Sequence, residues 1–285
     1  MSATKDALIA KLTIKKWSGT KSEKEMSNNL ATEKGAEKGT LRISKTLFQP
    51  DLLAGVNYCA RQLRAVHLVH SRYWDDSGSR LVPANKIKNH RDATKRWLDA
   101  YEQQARIFIG KGKLELIKHE AQRRLGAELY REEDYPSEEN LRTMFGAKVE
   151  YFPVPDGAFI PIHLEDRDAY VKQIKRSVEE RLTEGNQRMF FELRKALLNL
   201  RSSVERVKTD GNHGAFYQSS VDSLLELSAA MSELNITNDP FLDKAIAAIQ
   251  TDFNSLTKGT LLSSPDGAAG VLNRVDAILS DIPQS

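Results

Sequence analysis

Across residues 171–207 the chain repeats apolar side chains at helical spacing. Val171, Ile174, Val178 and Leu182 are followed by Met189, Leu193, Leu197, Leu200, Val204 and Val207. A stripe that recurs every three or four residues has to bury one side of a helix. At this length the helix belongs to a coiled coil, an extended bundle or a contact between copies. The run Asp210-Gly211-Asn212-His213-Gly214 ends the stripe. Three further helices follow, at 221–234, 241–256 and 268–279. Asp239-Pro240 opens the second and Ser264-Pro265 the third, a cap residue followed by a proline preset for the first turn.

The N-terminal part has a different pattern. Residues 7–17 alternate apolar and polar, which favours a strand, whereas 18–40 are polar and rich in Gly, Ser, Lys and Glu, with little to bury. That stretch reads as a linker. Residues 41–48 suit a short extended piece, and from Pro50 the residues Leu53, Val56, Ala60 and Leu63 mark a helix to about His70. Trp97, Tyr101, Ala105 and Phe108 mark the next helix, and Leu114, Ile117, Ala121 and Leu125 another, with Gly110 and Gly112 either separating them or weakening one continuous rod. Two such helices in sequence pack as an antiparallel pair. Ser137 caps a short helix ending at Gly146. In residues 148–164 apolar alternation flanks Pro155-Asp156-Gly157, a turn signal, and Pro153, Pro155 and Pro161, which cannot donate to a ladder, keep any hairpin short or at an edge.

The fold class read from this pattern is mainly α: a helical core with a small β hairpin, a long connecting helix and a C-terminal helical bundle. Three segments are expected: 1–46, an N-terminal strand and polar linker; 47–164, a basic helical core with the hairpin; and 165–285, the long helix and an acidic bundle. At 285 residues the chain has room for two domains.

The net charge of +3 hides an asymmetry. Residues 1–125 hold 25 Lys+Arg against 13 Asp+Glu, and residues 126–285 hold 17 against 26. A net +12 facing a net −9 implies either an anionic partner for the first half, or attraction between the halves, within one chain or head to tail between copies. Arg61, Arg64, Arg72, Arg80, Lys86, Lys88, Arg91, Lys95 and Arg96 cluster within 36 residues, interleaved with Tyr58, Tyr73, Trp74 and Trp97. Basic side chains there would neutralise phosphates, while Tyr73 and Trp74, read as loop residues, would stack bases. Trp97 falls on the apolar stripe and is assigned to the core. A single cysteine, Cys59, excludes an intrachain disulfide and reads as a small buried hydrophobe. No apolar run reaches the roughly 20 residues of a membrane span. Lys5, Lys11, Lys15 and Lys16 interrupt the first 17 residues, so no leader is expected and the protein is placed in the cytoplasm.

Little in the chain points to catalysis. His67 and His70 followed by Asp75 and Asp76 have residue types that ligate zinc, but histidines at a helix C-terminus and an Asp-Asp-Ser-Gly turn account for them equally well. Glu132, Glu133 and Asp134 read as a solvated loop, and Gly110-Lys111-Gly112-Lys113 lacks the frame of a phosphate loop. No catalytic residue, metal or cofactor is assigned.

The run Tyr73-Trp74-Asp75-Asp76-Ser77-Gly78-Ser79-Arg80-Leu81-Val82-Pro83, with Trp17-Ser18-Gly19, Tyr135-Pro136 and residues 153–164, resembles a family of uncharacterised proteins encoded by tailed bacteriophages and prophages. The resemblance covers about residues 8–207. It implies a mobile-element origin and a role inside the infected bacterium, and it brings no catalytic residues. The function expected is that of a non-enzymatic phage protein acting through oligomerisation and protein–protein contacts, with the helix at 165–208 as interface. The partners are then further copies or other phage proteins. The alternative is binding of single-stranded or duplex DNA, or RNA, through the basic region 61–96.

Overall fold

The computed structural model describes residues 6–156, 167–210, 218–262 and 267–283. Its strands are β1 (Ala7–Lys15), β2 (Thr20–Ser22), β3 (Ser44–Thr46), β4 (Arg72–Tyr73), β5 (Ser79–Pro83) and β6 (Gly146–Pro153). The helices are α1 (Lys24–Glu33), α2 (Ala54–Val69), α3 (Ile87–Ile109), α4 (Lys113–Leu129), α5 (Glu138–Thr143), α6 (Arg167–Asp210), α7 (Gln218–Leu234), α8 (Pro240–Phe253), α9 (Lys258–Leu262) and α10 (Gly267–Asp281). The protein is mainly α, with a 44-residue α6 and a small antiparallel sheet. Among the described residues no helix is long and apolar enough to cross a membrane.

The chain forms two compact units and passes between them four times. The bundle unit comprises Met1–Lys11, Leu68–His90 and Glu150–Ser285; the aromatic unit comprises Leu12–His67 and Arg91–Val149. Both are discontinuous, because strands and helices distant in sequence share a core.

In the bundle unit the stripe of α6 is consumed internally. Leu193, Leu197, Leu200 and Val204 are fully buried with Leu224 of α7, Ile249 of α8 and Val275 of α10 in one core. Asp239 caps α8 as its sequence foretells, accepting from the Phe241 and Leu242 amides at 3.0 and 3.2 Å. A second, smaller core brings Ile9, Trp74 and Leu81 together with Val178. Strand order in the sheet is β4-β5-β1-β6. Ala7 pairs with Pro83 and Lys11 with Ser79, while Arg72 pairs with Leu81 and Tyr73 with Arg80. Residues 72–83, read from sequence as a helix-joining loop, are therefore a β-hairpin. The hairpin expected around Pro155-Asp156-Gly157 falls from residue 157 onward outside the described residues.

The aromatic unit is organised around Trp17, whose ring lies 4.8 Å from Phe48 and 6.4 Å from both Phe108 and Tyr135. The Tyr101 hydroxyl donates to Lys15 O at 2.5 Å, and burial pushes that phenol up to about 12. Gly112, at φ +75°, separates α3 from α4 in a conformation that an L side chain rarely adopts. Ser137 caps α5, accepting from the Asn140 amide at 3.2 Å.

Residues 18–40 differ from the linker reading. They contain β2 and α1, with Ser27 and Ala31 buried. The cause is an ion cluster. Lys45 Nζ lies 2.6 Å from Glu23 Oε1 and 2.5 Å from Asp134 Oδ2, and donates to Leu129 O at 2.7 Å. Glu23, at the start of α1, is thereby held to the buried end of the Lys45 side chain.

Candidate functional site

The β4–β5 hairpin owes its turn to Asp75. Its Oδ1 accepts from Ser77 N, Ser77 Oγ and Ser79 N at 3.0, 2.7 and 3.1 Å, the pattern of an Asx turn. Burial opposes ionisation of this carboxyl, but the bonds from Ser77 and Ser79 and the Arg181 charge outweigh it and hold it below the usual range. Asp75 is thus committed to structure. Among the described residues no three His, Cys, Asp or Glu side chains converge as metal ligands. His67 is buried in the aromatic unit and His70 belongs to the bundle unit. Burial and then the Lys86 charge lower the His70 pKa.

Arg72, on β4, is 2% exposed. Its Nη2 donates to Leu182 O at 2.9 Å and to Asn186 Oδ1 at 2.6 Å, and its Nη1 to Leu234 O at 3.4 Å. Asn186 also accepts from Thr237 Oγ1 and donates to Asp239 Oδ2, both at 3.1 Å. One guanidinium therefore ties the hairpin to α6 and to the α7–α8 turn. Burial lowers its pKa to about 10, an effect that the more distant Asp239 charge opposes. The close approach depends on Gly185 of α6: a Cβ there would sit 2.6 Å from Arg72 Nη2 and 3.2 Å from Tyr73 O.

Beside this anchor lies a cavity of about 670 Å³ bounded by the end of α2, the hairpin, α6 and α7. Met189, Leu227, Met231 and Leu234 form apolar wall. Arg80 lines it, donating through Nε to Ser71 Oγ at 2.7 Å and through Nη2 to Ser71 O at 2.9 Å. Burial and then the Arg188 charge lower its pKa to about 10. Arg188, another lining residue, lies 3.6 Å over the Tyr73 ring and donates to Asp76 Oδ1 at 3.0 Å.

The residues expected to bind nucleic acid are dispersed by this arrangement. Arg72 and Trp74 are buried, so neither reaches a phosphate or a base; the ring of Trp74 packs in the small core under Arg181, 5.3 Å away. Tyr73 is half-buried beneath Arg188 and Arg80 is turned onto Ser71. Lys86 pairs with Glu233. The reason is the hairpin: a strand pair inserts alternate side chains into a core, where a loop would leave them in solvent. Arg61, Arg64, Lys88, Arg91, Lys95 and Arg96 are exposed, and all but Lys88 lie in the aromatic unit. There Tyr58, 48% exposed on α2, meets Trp97 of α3 edge-on at 5.7 Å, and Arg96 lies 5.8 Å over the Trp97 ring.

A groove of about 330 Å³ opens elsewhere in the aromatic unit, between the turn Pro50–Leu53, α3 and α4. Val56, Phe108 and Ile117 are buried members of its lining, and Leu52, Ile107 and Leu116 stand at 45%, 56% and 66% exposure. Periodicity could not single these out, because each sits one position off its helix's buried stripe. The signal in the sequence was the adjacency of two aliphatics, Leu52-Leu53, Ile107-Phe108 and Leu116-Ile117, of which a helix buries one. The chain matches no protein-family model, no curated protein and no solved structure.

Proposed function

We propose that the protein is a non-enzymatic assembly protein that self-associates head to tail, with the groove of the aromatic unit receiving an apolar helix face of a second copy. The observation that carries this is the convergence of Leu52, Ile107 and Leu116 on one groove, since three large aliphatics exposed together mark a contact surface. The interface is moved from the α6 stripe, which the chain's own bundle buries. Phe191 and Leu198 of α6 stand outside, 55% and 47% exposed and two helical turns apart, an apolar face of the kind such a groove accepts. Opposite net charges on the two halves of the sequence favour a heterologous contact over a symmetric one. On the resemblance to tailed-phage proteins, the proposed setting of this assembly is the infected bacterium. Light scattering across about 1–100 µM tests it: the mass rises with concentration in the native protein and stays monomeric in Leu116→Glu and Phe191→Glu. A native protein that is monomeric over the whole range overturns the reading.

A second reading rests on Tyr58, an exposed ring beside Arg61 and Arg96. It would stack an unpaired base while the cations neutralise phosphates, giving an affinity that falls steeply with salt. Gel-shift titration of single-stranded DNA decides it, since Tyr58→Ala with Arg96→Ala abolishes binding if this reading holds.

A further inference from the structure

The cavity in the bundle unit combines two features that ordinary packing does not explain together. Arg72 is a buried cation and Arg80 a half-buried one, and among the described residues neither forms an ion pair; every partner of theirs is a carbonyl, an amide or a hydroxyl oxygen. Among the described residues Arg72 Nε is buried with no hydrogen-bond partner, while Arg80 spends Nε and Nη2 on Ser71. Buried charges are normally matched by an opposite charge. Directly beside them the wall is Met189, Leu227, Met231 and Leu234. The carboxylates among its described lining residues, Glu192 and Glu226, are exposed, and nearby Asp76 is held by Arg188.

We propose that this cavity binds a monoanionic amphiphile, a medium-length aliphatic carboxylate whose chain lies against the Met and Leu wall and whose head group reaches Arg80. A guanidinium edge matches a carboxylate, and the bond is strengthened where water is excluded. The volume of about 670 Å³ lies within the range of small-molecule sites and far below what a folded partner would need. The three carboxylates at the outer side repel a dianion, so one negative charge is preferred to two. This site is independent of the assembly groove, which lies in the other unit.

Titration calorimetry at pH 7.5 with decanoate, below its micelle concentration, tests the proposal against two half-ligands: 1-decanol, with the chain but no charge, and acetate, with the charge but no chain. Decanoate binds one per chain, decanol at least about tenfold more weakly, and acetate without measurable heat. Arg80→Gln reduces decanoate affinity at least about tenfold while leaving decanol unchanged. If that variant unfolds, Ala230→Glu serves, because it places a carboxylate in the cavity from a partly exposed position of α7; it also loses decanoate. The proposal is overturned if decanol binds as tightly as decanoate, if decanoate binds Ala230→Glu unchanged, or if decanoate gives no heat up to about 1 mM.

Discussion

Among the described residues each unit contains one deeply buried Lys or Arg, and the two are stabilised in opposite ways. In the aromatic unit Lys45 is met by two carboxylates, Glu23 and Asp134, within 2.6 Å. In the bundle unit Arg72 is met by neutral oxygens from α6 and the α7–α8 turn. Burial disfavours both charges. For Lys45 the hydrogen bonds to Asp134 and Glu23 outweigh it and its pKa is raised, whereas Arg72 is pulled down to about 10. An ammonium is a compact charge that needs opposing charge when desolvated; a guanidinium spreads its charge over five donors and tolerates neutral acceptors. The first solution closes a site completely. The second leaves an electrostatic demand, and a cavity lies next to it.

The contrast can be broken most strongly at Lys45. Lys45→Met leaves Glu23 and Asp134 facing each other without a counter-charge, and costs about 3–5 kcal/mol in urea unfolding. Adding Glu23→Gln and Asp134→Asn recovers most of this, and α1 is the element whose amide-exchange protection follows the loss. Because the Lys45 pKa is raised in the fold, its contribution is complete at neutral pH and is lost only as pH rises through the folded value, above 10.5.

The bundle unit should respond to acid instead. His90 is fully buried, its Nδ1 lies 2.6 Å from the Tyr151 hydroxyl, and burial, then the His70 and Arg80 charges, lower its pKa to about 4. The unfolded chain binds this proton near pH 6.5 and the fold does not, so stability falls as pH drops from 6.5 to 4, by at most about 3 kcal/mol. Urea midpoints at pH 7.5 and 4.5 measure it, and the difference shrinks in His90→Gln.

Smaller effects sharpen the account of Arg72. Gly185→Ala forces the guanidinium away from its acceptors and costs about 1–3 kcal/mol. In an Arg72→Met background the same change costs about 1 kcal/mol less, a coupling that a double-mutant cycle reads directly. At the other extreme, Leu116→Glu, at a position 66% exposed, changes unfolding free energy by less than about 0.5 kcal/mol. Any loss of assembly in that variant then reports contact rather than folding.

Periodicity and capping sufficed for most helices. The α6 stripe, the Asp239-Pro240 start of α8, the Ser137 cap and the break at Gly110 to Gly112 all rest on local chemistry that the chain carries in consecutive residues, and all are found in the structure. The charge asymmetry is likewise a property of composition. The chain alone did not determine what covers the α6 stripe, because the same apolar face serves a neighbouring helix or another copy equally well. Nor did it reveal that residues 18–40 fold, since Glu23 and Asp134 meet Lys45 only in three dimensions. The hairpin at 72–83 shows the same limit. Arg72, Tyr73, Trp74 and Arg80 look like an exposed binding cluster when counted along the sequence. Pairing with β1 and packing on α6 turn Trp74 into core and Arg72 into a structural tie, and set Arg80 against an apolar cavity. Burial is decided by neighbours distant in sequence, and burial decides whether a cation is a solvated charge, a tie or part of a cavity wall.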